Sequence, residues 1–297
     1  MNRFLCADAA RTRGDSLTGT APYGTAWVLV EYNRAWPPNG FDGLDLHPAT
    51  KARVYAAAQA VRARILLVRR YGRRRPDAPA RWAVLRHDPT GAHHQRWGTW
   101  ARDEDLTRIA DALEVPPPAA EFGDTDRPPV LLVCTHGLHD TCCAVRGRPV
   151  ARALADRWPD LVWECSHVGG DRFAANVVVV PDGVYYGNLD PDSAIPTLTT
   201  HLSDRIAPTH LRGYTDLFPP QQTAVAALLT HLGPAPRHAW TVTHSTRHPD
   251  HWIVRATYRT TYTVEIRAHR TPMRQLTCHG PSSTSAFVYE ATSIEPG

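Results

Sequence analysis

The chain predicts an α/β protein of three units: an α/β unit over residues 1–125, a second over 126–208, and a small α+β unit over 209–297. Three observations predict it. Apolar runs of strand length alternate with stretches of helical periodicity in the order strand, helix, strand, strand, helix. That order occurs twice, and the residues beyond 208 read as one helix followed by alternating, antiparallel strands.

Residues 25–32 (TAWVLVEY) form a strand. Residues 48–63 form a helix with Asp45 or His47 as its cap and Val54, Ala57, Ala58 and Val61 on one apolar stripe. Residues 64–69 (RILLVR) and 81–86 (RWAVLR) are strands. Residues 103–113 are a helix with Leu106, Ile109, Ala110 and Leu113 on one face and acids in the first turn, where the helix dipole favours them. A proline-rich linker, 115–129, separates this unit from the next. There, 129–134 is a buried strand and 148–158 a helix that Pro149 opens at its first position. Residues 161–166 and 176–180 are strands, 183–189 returns across Pro181-Asp182 as a hairpin arm, and 193–206 is a closing helix. Strand, helix, strand, hairpin and helix is the element order of a thioredoxin-like domain. The second unit is expected to be one, and the first, which repeats the order but not the sequence, to follow the same pattern. In the third unit, Pro219 and Pro220 start a helix that ends at Gly233; strands follow at 240–244, 251–258, 261–268 and 287–291. No chemistry is expected there, although Cys278 and eight of the sixteen histidines lie beyond Ile206.

Composition narrows the functional classes. A chain of 297 residues with 42% hydrophobic and 21% charged content is globular, and six cysteines are too sparse for a disulfide scaffold. No run approaches the roughly 18–20 apolar residues that span a bilayer, and the first residues lack a signal-peptide apolar core. A cytoplasmic protein without membrane partners is expected. The net charge of +4 is carried almost wholly by arginine, Lys51 being the one lysine. The run Arg69, Arg70, Arg73, Arg74 and Arg75 reads as a solvated loop, or as a docking patch for an acidic redox partner. Nucleic acid is not expected, because Tyr71 is the only aromatic within the run.

Two motifs carry the chemistry. Residues 134–144 (CTHGLHDTCCA) hold three cysteines and two histidines, and residues 165–177 read CSHVGGDRFAANV. Both begin where a strand runs into a loop, at the same end of neighbouring strands, where open α/β sheets collect ligands. Cys134 and His167 then face each other across the loop mouth. Gly169 and Gly170 let the second loop turn sharply, so that His167 and Asp171 can both point inward and backbone N–H groups can approach a bound group. In a reducing compartment such clusters mean metal or redox chemistry.

The C-x8-C pair, the run H-V-G-G-D-R-F-A-x-N, the following V-V-V-P-D-G-V-Y-Y-G, the stretch CCAVRGRPVARAL, and Cys6 with GDSLTGTAP together resemble the sucrase/ferredoxin-like family, relatives of the thioredoxin-like 2Fe-2S ferredoxins. The resemblance implies a single 2Fe-2S cluster, one-electron transfer rather than catalysis, and an unidentified redox partner protein. It also implies the ligands. Cys134, Cys143 and His167 match family positions one by one, whereas Asp171 stands where the family has a second histidine; Cys142 and Cys165 are the alternates. Gly169, Gly170, Arg146 and Arg172 would surround the cluster. With two thiolates, one imidazole and one carboxylate on a core of about +2, the total charge is roughly −1, which implies a potential between those of all-cysteine and bis-histidine ferredoxins.

Zinc is the main competing cofactor. Cys134, Cys143, Cys165 and His167 would make a closed Cys3His site and a structural or regulatory protein. Cys134-Thr-His136 and Cys165-Ser-His167 are superficially Rieske-like but lack the C-x-x-H of a Rieske loop. No C-x5-R phosphate loop follows Cys134, and no facing acid pair is marked out for sugar hydrolysis. Asp140, Glu164 and Asp182 read as ordinary loop or strand charges, and His136 and His139 as solvated residues or donors beside the site.

Overall fold

In the computed structural model, residues 4–72, 79–90, 92–115 and 127–297 are described; Arg73, Arg74, Arg75 and most of the proline-rich linker lie outside them. The chain opens with a helix absent from the sequence expectation, α1 (Cys6–Arg13), whose buried face is only Cys6, Ala7 and Ala10. Then come β1 (Ala26–Glu31), α2 (Pro48–Ala60), β2 (Arg64–Arg69), β3 (Ala80–Arg86), β4 (His94–Trp100) and, after a 3-10 turn at Asp103–Leu106, α3 (Thr107–Glu114). Strand β1 runs parallel to β2 and antiparallel to β3, and β3 pairs antiparallel with β4 from Ala80↔Trp100 to Arg86↔His94.

The second half comprises β5 (Val130–Cys134), α4 (Thr141–Arg157), β6 (Val162–Cys165), β7 (Val177–Val180), β8 (Val184–Tyr186) and α5 (Pro191–Leu202). Here too the first strand is parallel to the second and antiparallel to the third, and the third is antiparallel to the fourth. The two halves meet second strand to second strand. β2 and β6 are antiparallel through Val68↔Cys165 and Arg69↔Glu164. Ser166 extends the seam, its N–H donating to the Leu67 carbonyl at 2.8 Å and its Oγ accepting from the Leu67 N–H at 3.0 Å. With β9 (Leu211–Tyr214) beyond β8, the result is one nine-stranded mixed sheet in the order β4-β3-β1-β2-β6-β5-β7-β8-β9.

The inner faces of the two halves bury each other. Trp27, Leu29, Leu66, Val68, Ala83 and Leu85 from the first half share one dry cluster with Leu132, Trp163, Val178, Val180 and Tyr185 from the second. Trp97 stacks on Trp163 at 6.1 Å between ring centroids. Helices cover the outer faces, α2 and α3 over Val28, Val30, Leu67 and Val84, and α4 and α5 over Leu131, Val133, Val177 and Val179. The third unit is a helix, α6 (Pro219–Leu232), against a four-stranded antiparallel sheet of β10 (Thr241–Arg247), β11 (His251–Tyr258), β12 (Thr260–Arg270) and β13 (Phe287–Pro296). Among the described residues no helix is long and apolar enough to cross a membrane.

Three expectations need correction. The helix expected over 148–158 begins at Thr141, so Pro149 lies inside it and not at its start. The longer helix is favoured by the Asp140 cap, whose carboxylate accepts the Cys142 N–H at 2.8 Å, and by a buried stripe of Cys143, Gly147, Val150, Ala151 and Leu154. The bond Pro149 cannot donate belongs to the carbonyl of Val145, a residue that is 50% exposed and therefore within reach of water. Arg69 and Arg70 are fastened to the fold. Arg69 pairs with Glu164 at 2.7 Å, and Arg70 donates to the carbonyls of Asp160 and Val162 and lies over the Trp163 ring. Nor are the three acids ordinary charges. Glu164 and Asp140 are buried, and Asp182 joins the halves by accepting from His93 and His201 at 2.9 Å each.

The Asp182 contacts give a pH signature. The bond to Asp182 raises His93 above its ordinary value, while His201 and His93 outweigh burial and hold the Asp182 carboxyl well below the carboxylate range. The His93 contribution is complete below pH about 6.5 and lost as pH rises through the raised value; that of Asp182 is present above pH about 4 and lost as pH falls. The stability lost in Asp182→Asn, measured by urea unfolding, is therefore expected to be largest between those two values.

Candidate metal centre

Strand β5 delivers Cys134 at its end, and α4 returns across that end with Cys143 in its first turn. The crossing needs Gly147: a Cβ there would stand 2.0 Å from the Cys134 carbonyl oxygen. After β6 the chain enters the loop 166–170. Gly169 and Gly170 have φ of +92° and +80°, a left-handed pair that reverses the chain and turns His167 and Asp171 toward the two thiols. The turn is fixed from behind by Arg212, fully buried, which donates to the carbonyls of Gly169 (2.8 Å) and Thr20 (2.7 Å), to Asn176 Oδ1 (2.9 Å) and to Thr20 Oγ1 (3.0 Å). Asn176 in turn donates to the Gly170 carbonyl at 2.9 Å.

The four residues expected as ligands converge. The donor atoms of Cys134, Cys143 and His167 lie within 4.8 Å of one another, as do those of His139, His167 and Asp171. Cys143 Sγ is 3.3 Å from Asp171 Oδ1 and 3.9 Å from His167 Nδ1, and His167 Nδ1 is 3.0 Å from Asp171 Oδ1. Cys134, Cys143 and Asp171 are buried, whereas the His167 side chain keeps 21% of its surface open.

Cys134 and Asp171 are held toward their anionic forms, whereas Cys143 and His167 are held toward their protonated forms and would give up protons on binding a metal. The Cys143 thiol beside it, together with His167, holds Cys134 well below the ordinary thiol range against the opposing effect of burial. Cys143 is pushed the other way, by Cys134 and by burial. Burial disfavours a charged imidazole at His167, but Asp171 and Cys134 outweigh it and raise His167 to about 9. Burial likewise opposes ionisation of Asp171, and contacts from His167 and Cys143 still keep its carboxyl below the usual range.

The other expected participants lie elsewhere. Cys165 is the register partner of Cys134 and lies in the same inner-core cluster, where burial holds its thiol well above the ordinary range. Among the described residues it joins no group of donors, so the Cys134, Cys143, Cys165, His167 zinc set is not assembled. Cys142 turns away from Cys143 toward α1. Arg146 pairs with Asp8, and Arg172 lies over the Phe173 ring, 3.8 Å from Asp15. His136 is buried edge-on to Trp36 and accepts the His167 N–H on Nδ1 at 3.3 Å. His139, expected as a solvated residue or donor, stacks on His167 at 3.8 Å between centroids and contacts the Pro38 carbonyl at 3.1 Å. Beside these rings opens a cleft of about 290 Å³ walled by Gly40, Phe41 and Tyr55 of the first half and His136, His139 and His167 of the second.

The family described as sucrase/ferredoxin-like matches residues 17–213, a span that includes all four converging donors and Arg212. No curated protein and no solved structure matches the chain.

Proposed function

Because the chain belongs to the sucrase/ferredoxin-like family, we propose that its second half is a thioredoxin-like ferredoxin unit. It would hold a 2Fe-2S cluster on Cys134, Cys143, His167 and Asp171 and pass single electrons to a partner protein. The observation that carries this reading is the convergence of two sulfur donors, one imidazole and one carboxylate at the end of β5. Two buried thiols and a half-buried imidazole suit iron and sulfide better than hard-cation chemistry. The cluster, when bound, supplies a reversible one-electron couple.

The protein's own residues do the rest. Gly169, Gly170 and Arg212 fix the loop that carries His167 and Asp171, so neither donor must be ordered on loading. The inner core under Cys134 excludes water from the sulfur side. His167, with His139 stacked on it, is the exposed edge, and Leu138 beside them is 62% exposed. A partner protein would approach there, over the cleft. The strand order of the second half, two parallel strands followed by an antiparallel pair on the first strand's other side, supports the thioredoxin-like assignment, and the first half shares it. Six free cysteines suit a reducing compartment, which we take to be the cytoplasm.

One observation favours a second reading. Cys134, Cys143 and His167 are near enough to one another to surround a single ion. A zinc on these three donors and Asp171 would make the protein structural or regulatory. Iron, sulfide and zinc analysis of protein purified without oxygen separates the two. About two irons and two sulfides per chain, with visible bands bleached by dithionite and lost in Cys134→Ser, are expected. Zinc that disappears in Cys134→Ser, without iron, would replace the electron carrier by the zinc protein. Asp171→His substitutes a neutral donor for an anionic one, and its reduction potential is expected to lie above that of the wild type.

A further inference from the structure

We propose that Cys6, Cys142, Cys278 and Asp140 form a second, separate centre that binds one zinc ion and fastens α1 and the β12–β13 connection to α4. Their donor atoms lie within 4.8 Å of one another. Cys142 Sγ is 3.4 Å from Cys278 Sγ, Cys278 Sγ is 3.6 Å from Cys6 Sγ, and Cys6 Sγ is 3.7 Å from Asp140 Oδ1. A tetrahedral zinc with Zn–S bonds of about 2.3 Å sets sulfur atoms about 3.8 Å apart, close to these separations. A disulfide would use two of the thiols and leave the third buried beside it with no function.

The surroundings are those of a built site. Cys6, Asp140 and Cys142 are at most 1% exposed, and Cys278 is half-buried and gives the way in. Two helix N-termini meet here, α1 through Cys6 and α4 through Cys142, and their dipoles favour thiolate. Backbone N–H groups point at sulfur, from Cys6 to Cys278 Sγ at 3.5 Å and from Ala7 to Cys142 Sγ at 3.4 Å. Asp140 is fixed by the N–H groups of Cys142 (2.8 Å) and Cys278 (2.7 Å), which leaves further lone pairs for a cation.

The site also answers a structural need. The connection from β12 to β13 carries Cys278, and its only buried apolar residue is Leu276. A segment with so little core is fastened economically by a metal. Cys6 and Cys278 are 272 positions apart, and both lie outside the span matched by the family. Cys142 and Cys143, neighbours on one helical turn, thus serve different centres.

The test uses the full chain carrying Cys134→Ala and Cys143→Ala, which removes the first centre and makes the result independent of what that centre binds. This variant should take up one equivalent of cobalt(II) with the d–d bands of a tetrahedral thiolate site, and zinc should displace it. Adding Cys278→Ser or Cys6→Ser should weaken zinc binding by more than about 100-fold, beyond the loss typical of a supporting residue. Absence of the bands, or zinc affinity unchanged by Cys278→Ser, overturns the proposal. Should the multiple variants fail to fold, the wild type decides: zinc in excess over both centres should slow alkylation of Cys278 by iodoacetamide, and a chelator should restore it. An unchanged rate, or a Cys142–Cys278 disulfide in protein purified without oxygen, overturns the proposal equally.

Discussion

Gly147→Ala is expected to destabilise the fold by about 2 kcal/mol and to lower metal loading at Cys134 and Cys143, although alanine is the better helix former. In a free helix the substitution would gain up to about 1 kcal/mol. Here the new Cβ would lie 2.0 Å from the Cys134 carbonyl oxygen and 3.1 Å from its carbon, atoms of a central strand that cannot rotate aside. Overpacking of this kind costs about 1–3 kcal/mol and sometimes more, so sterics outweigh propensity. Relief comes only if α4 moves off β5, and that movement draws Cys143 away from Cys134. Urea unfolding and metal content measured on the same preparation check both effects. A variant as stable as the wild type would show that α4 is not held against the strand as described.

Arg212→Met is expected to cost about 3 kcal/mol or more and to disorder the loop carrying His167 and Asp171. The guanidinium makes four hydrogen bonds, all to neutral acceptors: Thr20 twice, Gly169 and Asn176. Burial without a facing carboxylate lowers its pKa to about 10, yet it remains charged at neutral pH. Removal leaves several buried acceptors unpaired, each at a penalty of about 1–3 kcal/mol unless water enters. Arg212→Lys is expected to recover little, because one ammonium cannot span Thr20 on one side and Gly169 on the other. Equilibrium unfolding gives the stability loss. Hydrogen exchange of the Gly169 and Gly170 amides reports the loop.

Local pattern was legible and long-range closure was not. Strands β1, β2, β5 and β7 carry the unbroken apolar runs WVLV, ILLV, VLLV and VVVV, the mark of burial on both faces. β4, HQRWGTW, carries few apolar residues and becomes a strand only because β3 offers it an edge. Helix α1 has too short an apolar face to declare itself, and it is ordered by Cys142 and Ala174. The gathering of Cys134, Cys143, His167 and Asp171 could be read because C-x8-C and H-x3-D are short spacings next to strand ends. Arg212 could not, since nothing in the stretch LRGY distinguishes a buried cation bound to Thr20 from an exposed one. Likewise no spacing rule connects Cys6 to Cys278. Cys165, expected as an alternate ligand, is the register partner of Cys134, but pairing in a sheet sets Cα positions and does not by itself bring thiols together.

Neither half of the nine-stranded sheet is autonomous. Each presents its partner with a full apolar face, Trp27, Leu29, Leu85 and Trp97 on one side and Leu132, Trp163, Val180 and Tyr185 on the other. Freed from the other, either half would return several such side chains to water at about 1.5–3 kcal/mol each, enough to exhaust the roughly 5–15 kcal/mol that holds an ordinary domain folded. The first half, which carries none of the four donors at the end of β5, is therefore an intramolecular companion, supplied at a fixed one-to-one ratio by the same polypeptide. It contributes to the centre by being an insoluble surface's only available cover.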